Sequence, residues 1–190
     1  ILAQAAGRAY VEPGEIINAR IHSVMVTDLK GPNTFKVMEE EVGVTAVHEG
    51  VEIIFVLDHL GPANNLKTAE QFKSCRVIAR KYGLKNFYDL GHQGIGHQIM
   101  CEDGFVLPGT VTVGIDSHST TYGALGSVAF GISNSEAAVI LATGELWLRV
   151  PETTRFNISG VLPYRTYAKD VILHLIGMTQ WNGEVLYKAV

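Results

Sequence analysis

Short apolar runs alternate with amphipathic segments along the chain, and glycine, proline or asparagine marks each change. This alternation is typical of an α/β protein, because strands separated by helix-like segments are the building blocks of that class. The pattern predicts strands at residues 15–26, 52–57, 86–90, 111–115 and 156–159, and helices at residues 34–41, 66–82, 133–142 and 167–176. We therefore expect an α/β fold.

Composition narrows the class of protein further. The chain has 190 residues, of which 47% are hydrophobic, so it is long enough to bury a core. Its 15 basic and 19 acidic residues give a net charge of -4, which disfavours a nucleic-acid partner. The longest apolar stretches, residues 53–57 and 137–142, are too short to cross a bilayer, and the first residues lack a signal-peptide pattern. We expect a cytoplasmic protein with no membrane partner, in which Cys75 and Cys101 are reduced thiols.

Histidine lies beside a carboxylate or an amide at three places where a predicted strand gives way to a loop. Asp58 and His59 follow the second predicted strand, His97 lies in the glycine-rich loop after the third, and Asp116 and His118 follow the fourth. Ligands of open α/β sheets bind at the carboxyl ends of strands. A carboxylate beside an imidazole raises the pKa of the imidazole and fixes its tautomer, so these places indicate proton transfer near neutral pH.

The third of these places opens a segment rich in glycine and hydroxyl groups, residues 114–126. Such a segment after a strand can begin a helix, whose first N–H groups and dipole favour an anion. Asp, Ser and Thr are also the ordinary residues of helix N-caps, so Asp116 and Ser117 have a purely structural interpretation as well. An N-cap does not need an imidazole, and His118 therefore favours a functional role for the segment.

Two other kinds of site compete for these residues. His and Asp are also zinc ligands, but neighbouring side chains are expected to point away from a single centre, and no HExxH pattern is present. Ser117 between Asp116 and His118 raises the possibility of a serine hydrolase. Three adjacent residues rarely converge as a triad, however, and the GxSxG elbow is absent, so a hydrolase is disfavoured.

Longer motifs, in a fixed order, carry a family resemblance over nearly the whole chain. They are residues 7–15, the Asp58-His59 strand end, and residues 94–98, 107–109, 114–126 and 142–144. On these motifs the chain resembles the large subunit of the aconitase superfamily, in particular the 3-isopropylmalate dehydratase and homoaconitase group. The resemblance implies an N-terminal α/β/α arrangement with a mostly parallel sheet.

The same resemblance implies a function and a set of site residues. Members of the family are hydro-lyases that move a hydroxyl between adjacent carbons of a small hydroxy di- or tricarboxylate, such as 3-isopropylmalate, through an alkene. By resemblance, His59 is the acid that assists departure of hydroxide and Asp58 orients it. The implied catalytic residues are Asp58, His59, His97, Asp116 and His118, and the implied substrate-binding residues are Ser117, Gln98 and Ser119.

The resemblance also implies a 4Fe-4S cluster held by three cysteines, and here the chain departs from the family. It has only Cys75 and Cys101, neither of which lies in a cluster-binding motif. Gly96 stands where relatives often have cysteine, but by resemblance that position is not a cluster ligand. Residues 1–190 are therefore expected to be the N-terminal portion of a larger subunit, with no metal ligand in this segment and the cluster cysteines downstream. A small swivel-domain subunit is the implied partner.

The last ten residues have a pattern of their own. Residues 181–190 begin as a turn and continue with a helix-like pattern that has no cap.

A second hypothesis competes with the enzyme. It is a non-catalytic or regulatory anion-binding module that keeps this fold.

Overall fold

The computed structural model describes residues 1–178 and 188–189, which divide into two units. The first unit consists of residues 1–10 and 17–148, and the second contains residues 11–16 and the described residues from 149 onwards. The strands are β1 (Ile16–Arg20), β2 (Ser23–Thr27), β3 (Glu52–Val56), β4 (Asn86–Tyr88), β5 (Val111–Gly114), β6 (Val128–Gly131), β7 (Glu145–Arg149), β8 (Glu152–Thr153) and β9 (Lys188–Ala189). The helices are α1 (Leu2–Ala5), α2 (Gly31–Glu40), α3 (Leu66–Lys81), α4 (Gly96–Glu102), α5 (Asn134–Thr143) and α6 (Ala168–Met178), together with a 3-10 helix at Ser117–Leu125.

A five-stranded sheet lies at the centre of the first unit. Its strand order is β4-β3-β2-β5-β6, and every neighbouring pair is parallel. From β2 the chain builds outward through β3 and β4, and it then returns to place β5 and β6 on the other side of β2. The strand order therefore reverses between β2 and β5, which is the place where open α/β sheets bind their ligands. This architecture confirms the predicted α/β class with a mostly parallel sheet.

Alternating strand residues supply two hydrophobic cores, one on each face of this sheet. The larger core joins strand residues to helices α2, α3 and α5 and includes Val24, Val26, Phe35, Phe72 and Leu141. The smaller core includes Met25, Ile54, Val56, Met100 and Tyr122. Full burial of an apolar side chain contributes about 1.5–3 kcal/mol, so the two cores hold the strand ends in a fixed relation.

The helices follow the sequence pattern closely. All four predicted helices are confirmed, as α2, α3, α5 and α6, with shifts of up to three residues at their ends. The Asn65 side chain accepts the N–H of Thr68 and fixes the start of α3, and Ser133 and Glu136 form a capping box at the start of α5. No described helix is long and apolar enough to span a membrane.

The strand predictions were wrong in two places. Residues 15–26 are two strands, because the chain leaves β1 at Ile21, whose N–H donates to the Gly144 carbonyl. The N–H of His22 then donates to the carbonyl of Val111, the first residue of β5 in the central sheet. Residues 156–159 form no strand. Of the turn and helix-like pattern expected at residues 181–190, only residues 188 and 189 are described, as strand β9; the rest of that prediction lies outside the described residues.

Gly131, at the end of β6, allows the chain around Asp116 to lie directly against the sheet. A Cβ atom at Gly131 would lie 2.7 Å from the backbone oxygen of Asp116 and 3.0 Å from the Cα of Ser117. We expect Gly131→Ala to lower the free energy of unfolding by about 1–3 kcal/mol, because backbone atoms cannot move aside as a flexible side chain can. Urea unfolding of the full-length protein measures the loss. Gly123→Ala is the matched control, since a Cβ there meets nothing within 4 Å, and equal stability of the two variants would contradict the prediction.

Candidate functional site

Three strand ends and one helix start meet at the carboxyl edge of the central sheet. Asp28 follows β2, Asp58 and His59 lie just beyond β3, and Asp116 follows β5. Helix α4 begins at Gly96 and brings His97 to the same edge. The predicted catalytic residues are thus gathered where the strand order reverses, and the distances between their side chains define the site.

Asp116 is the residue on which the histidines converge. It is the N-cap of the 3-10 helix, and its Oδ1 accepts the backbone N–H of His118 at 2.8 Å. The same oxygen lies 3.0 Å from His97 Nε2 and 3.0 Å from His118 Nδ1. The other oxygen, Oδ2, lies 3.6 Å from His59 Nε2. One carboxylate is therefore placed among three imidazoles.

The environment of Asp116 keeps it ionised. Burial alone would raise the pKa of its carboxyl, but hydrogen bonds from the backbone N–H of His118 and from the His97 and His118 imidazoles outweigh burial and lower the pKa to about 2. An ionised carboxylate can only accept hydrogen bonds. The ring nitrogens of His97 and His118 that face Asp116 therefore carry protons.

Both ring nitrogens of His97 are engaged. With Nε2–H donated to Asp116, Nδ1 is free to accept the Tyr122 hydroxyl, which lies 2.8 Å away. Tyr122 is fully buried, its oxygen also lies 3.3 Å from Met25 Sδ, and burial raises its pKa, so it remains a protonated donor. His97 is therefore held between two partners, and its direct effect is on Asp116.

His59 is arranged differently: one ring nitrogen is held, and the other forms no hydrogen bond with any residue in 1–178. Its Nδ1 bonds to Asp58 Oδ1, and the other Asp58 oxygen accepts the N–H of Gly96 at 2.9 Å. At 3.6 Å, the contact of Nε2 with Asp116 is too long to be a hydrogen bond. The His59 side chain is 32% exposed, so Nε2 can reach a ligand. The His118 side chain is 81% exposed, and its Nε2 is likewise not bonded to Asp116.

Asp28 is a site residue that the sequence analysis missed. It is fully buried, and its carboxylate accepts three backbone N–H groups, those of Leu29 at 3.1 Å, His59 at 3.2 Å and Leu60 at 2.8 Å. Its Oδ1 also lies 3.6 Å from His59 Nδ1. An acidic residue directly after a buried strand could have indicated Asp28. The sequence pattern predicted one strand at residues 15–26, however, and did not separate β2, which ends at Thr27, from β1.

The predicted substrate-binding residues have different surroundings. Ser117 is exposed at the start of the 3-10 helix, and among residues 1–178 no hydrogen bond joins its hydroxyl to an imidazole, so the geometry gives no support to a hydrolase triad. Ser119 is buried, and its hydroxyl donates to the Asp116 carbonyl at 2.8 Å. The Gln98 amide donates to Glu102 on its own helix. The helix start that we expected to hold an anion is occupied by the Asp116 carboxylate itself.

The side chains around Asp116 and His59 also form two groups that could bind a metal ion. Ligand atoms of His97, Asp116 and His118 lie within 4.8 Å of one another, and so do those of a second set, Asp28, Asp58 and His59. The expectation that neighbouring side chains point away from one centre was wrong, because the 3-10 turn brings Asp116 and His118 together and the Asp58 carboxylate bonds to the adjacent His59 imidazole.

An iron–sulfur cluster does not fit the thiols of this chain. Cys75 is buried in helix α3, where burial raises its pKa to about 12 and disfavours the thiolate that iron needs. Burial also raises the pKa of Cys101. Two thiols, one of them buried in the core, cannot replace three cluster ligands.

The lowered pKa of the Asp116 carboxyl makes the stability of the protein depend on pH in acid. The carboxyl has a pKa of about 2 when folded and a reference value of 3.8, so its stabilising effect is present above pH 4 and is lost as the pH falls towards 2. We expect the stability difference between the native protein and Asp116→Asn to shrink over that range. Urea unfolding at pH 5, 4, 3 and 2 measures it, with Glu41→Gln as an exposed control. A difference that is as large at pH 2 as at pH 5 would contradict the assignment.

The chain is similar to known proteins over most of its length. Residues 16–188 match the model of the aconitase family (aconitate hydratase). The 3-isopropylmalate dehydratase large subunit of Thermodesulfovibrio yellowstonii is 44% identical over 177 residues, which are 93% of this chain and 42% of that protein. The corresponding large subunits of Heliobacterium modesticaldum and Aquifex aeolicus are each 43% identical over the whole chain, which covers 45% and 43% of their lengths.

The chain thus spans less than half the length of the curated relatives it matches. The family match itself extends over most of the chain, and it includes the site residues Asp28, Asp58, His59, His97, Asp116 and His118. The resemblance drawn from the motifs is confirmed, and the chain belongs to the aconitase family.

Proposed function

We propose that this chain supplies the acid–base edge of an iron–sulfur hydro-lyase. The reaction moves a hydroxyl between adjacent carbons of a small hydroxy di- or tricarboxylate, such as 3-isopropylmalate, through an alkene intermediate. Support comes from the family membership and from relatives named 3-isopropylmalate dehydratase large subunit. The single observation that carries the proposal is the His59 imidazole: Nδ1 is held by Asp58, Nε2 forms no hydrogen bond within residues 1–178, and the side chain is partly exposed.

In this proposal His59 is the acid of the dehydration step. Hydroxide is a poor leaving group, and a proton delivered from His59 Nε2 lets it depart as water. Asp58 accepts the Nδ1–H bond and thereby holds the ring in the tautomer and orientation that the transfer requires. In the hydration direction the same nitrogen takes the proton back from water.

Asp116, with the residues that hold it, stabilises the positive charge that His59 carries before this transfer. When His59 is protonated, the Asp116 carboxylate 3.6 Å away stabilises the imidazolium. His97, itself bonded to Tyr122, holds Asp116 from the buried side. His118, with Ser117 beside it, faces the exposed side, where a substrate or water would lie. Gln98 and Ser119 belong to the same proposed site as supports of the elements that carry His97 and Asp116. The carbon-bound proton is removed by a base outside this chain.

The cofactor and partner form part of the same proposal. The thiols of this chain do not fit a 4Fe-4S cluster, so we assign the cluster to the part of the full-length enzyme that corresponds to the unmatched half of the relatives. A small swivel-domain subunit completes the site. The two free cysteines are compatible with a reducing, cytoplasmic location.

Turnover by the full-length protein tests the function. The protein is purified anaerobically with its small subunit, iron and sulfide are measured, and alkene formation is followed with 3-isopropylmalate, homocitrate, citrate and methyl-substituted malates. We expect turnover of one member of this set. If an iron-loaded complex binds these acids but does not turn them over, the result would contradict the enzyme function and support an anion-binding module.

A further inference from the structure

Lys30 is a cation at the carboxyl ends of the central strands, and it has no role in the proposed proton transfer. It is the N-cap residue of α2, directly after β2, and its side chain is exposed. Its ammonium donates to the carbonyl oxygen of Ile115 at 2.9 Å. Ile115 follows β5 and immediately precedes Asp116, so Lys30 connects the ends of the two strands between which the strand order reverses.

The charges at this edge create a need for a cation. Asp28, Asp58 and Asp116 place three carboxylates around the histidines. A substrate with two carboxylates would be repelled by such a cluster while the imidazoles are neutral. A fixed positive charge at the rim offsets that repulsion and gives the substrate an orientation.

Lys30 has the bonding capacity to do this. An ammonium group has three N–H donors, and the bond to Ile115 uses one of them. Among residues 1–178 Lys30 forms no ion pair with a carboxylate, whereas Arg76 is paired with Asp89 and Lys81 with Glu39. The Ile115 bond holds the ammonium at the strand ends, and two donors remain for a ligand.

We propose that Lys30 binds a carboxylate of the substrate at this edge, which makes it a specificity residue for anionic hydroxy acids. The inference rests on the proposed function and adds to it a carboxylate-binding group from this chain. The carboxylate lies against the end of β5, so the hydroxyl-bearing carbon is directed towards the His59 and Asp116 side of the site.

Steady-state kinetics of the full-length protein with its small subunit test the proposal. The substrate is the hydroxy acid that the native enzyme turns over, and the variants are Lys30→Met and Lys30→Arg. We expect Lys30→Met to raise KM about 10- to 100-fold, because a hydrogen bond between charged groups is lost, and to change kcat much less. Lys30→Arg keeps the charge and should recover most of the affinity.

A control variant and a second ligand distinguish binding from a structural role. Lys36→Met changes an exposed lysine on the same helix, paired with Glu40, and should leave KM unchanged. A dicarboxylate substrate has two monoamides, and the one that lacks the carboxylate bound by Lys30 should lose most of the Lys30→Met penalty. A folding defect would instead affect the diacid and both monoamides equally. Thermal unfolding of each variant checks the loss of the Ile115 bond separately.

The outcomes separate this inference from the function on which it rests. Unchanged KM in Lys30→Met, or an equal penalty for the diacid and for both monoamides, overturns the role of Lys30 and leaves the hydro-lyase intact. No turnover by the iron-loaded native enzyme overturns the function. In that case calorimetric titration of the native protein and Lys30→Met with malate tests the role of Lys30 separately. Binding that is 10- to 100-fold weaker in Lys30→Met supports carboxylate binding by Lys30, and equal binding by the two proteins overturns it.

Discussion

His59→Ala should lower kcat of the full-length enzyme by about 100- to 10,000-fold while KM changes much less. A general acid acts on the proton in the transition state, so its loss affects the chemical step more than substrate binding. The prediction follows from the unengaged Nε2 of His59 and from the Asp58 bond that fixes the ring. Steady-state kinetics of the complex, at matched iron content, measure the effect.

Two further variants separate proton donation from packing. His59→Asn keeps an N–H close to the position of Nδ1, where it can still donate to Asp58, but it has no titratable nitrogen, so kcat should fall as far as in His59→Ala. His174→Ala, at an exposed histidine of α6, is the control and should retain native kcat. A His59→Asn enzyme with native kcat would remove His59 from the acid role.

Asp28→Ala should lower the free energy of unfolding by about 3 kcal/mol or more, and kcat should fall with it. The carboxylate is fully buried and accepts the N–H groups of Leu29, His59 and Leu60, and each buried donor left without a partner costs about 1–3 kcal/mol. Because one of the three donors is the backbone of His59, the acid itself would be displaced. Urea unfolding and kcat of the full-length enzyme measure the two effects.

The isosteric Asp28→Asn makes this prediction sharper. An amide keeps one acceptor oxygen but places an NH2 group against a backbone N–H, so it should lose stability even though the volume is unchanged. Asp103→Ala, at an exposed carboxylate bonded to Tyr88, is the control and should stay within about 0.5 kcal/mol of the native protein. An Asp28→Asn protein of native stability would show that the three N–H groups do not depend on this charge.

The elements that the sequence predicted correctly are those whose periodicity is backed by burial or by a cap. Strand β3 is a run of five residues, four of them buried, and α3 has its cap at Asn65 and its basic last turn. The elements it missed are short. Strand β6 has only half-buried or exposed residues, and α4 starts at a glycine in a glycine-rich loop, which hides a helix of seven residues. Such elements exist because neighbouring strands and helices hold them, not because of local preference.

Most residues of the candidate site could be predicted from the sequence, but the hydrogen bonds between them could not. Strand-end positions pointed to Asp58, His59, His97, Asp116 and His118, and the structure brings these side chains together. Which nitrogen of each imidazole is engaged depends on partners such as Tyr122, which is 25 residues away from His97 in the chain. Asp28 lies 31 residues from His59, and the contact exists because β2 and β3 pair in register. These relations come from sheet topology, which the sequence pattern does not specify.

The proposed acid role of His59 in a hydro-lyase can be tested most directly by one comparison. Native and His59→Asn full-length proteins, each with its small subunit and the same iron content, are incubated with 3-isopropylmalate, and the initial rate of alkene formation is measured. We predict that the native complex forms the alkene and that the variant does so at least about 100-fold more slowly. Equal rates in the two proteins would contradict the acid role of His59. No alkene from the iron-loaded native complex with 3-isopropylmalate, homocitrate, citrate or methyl-substituted malates would contradict the proposed hydro-lyase function.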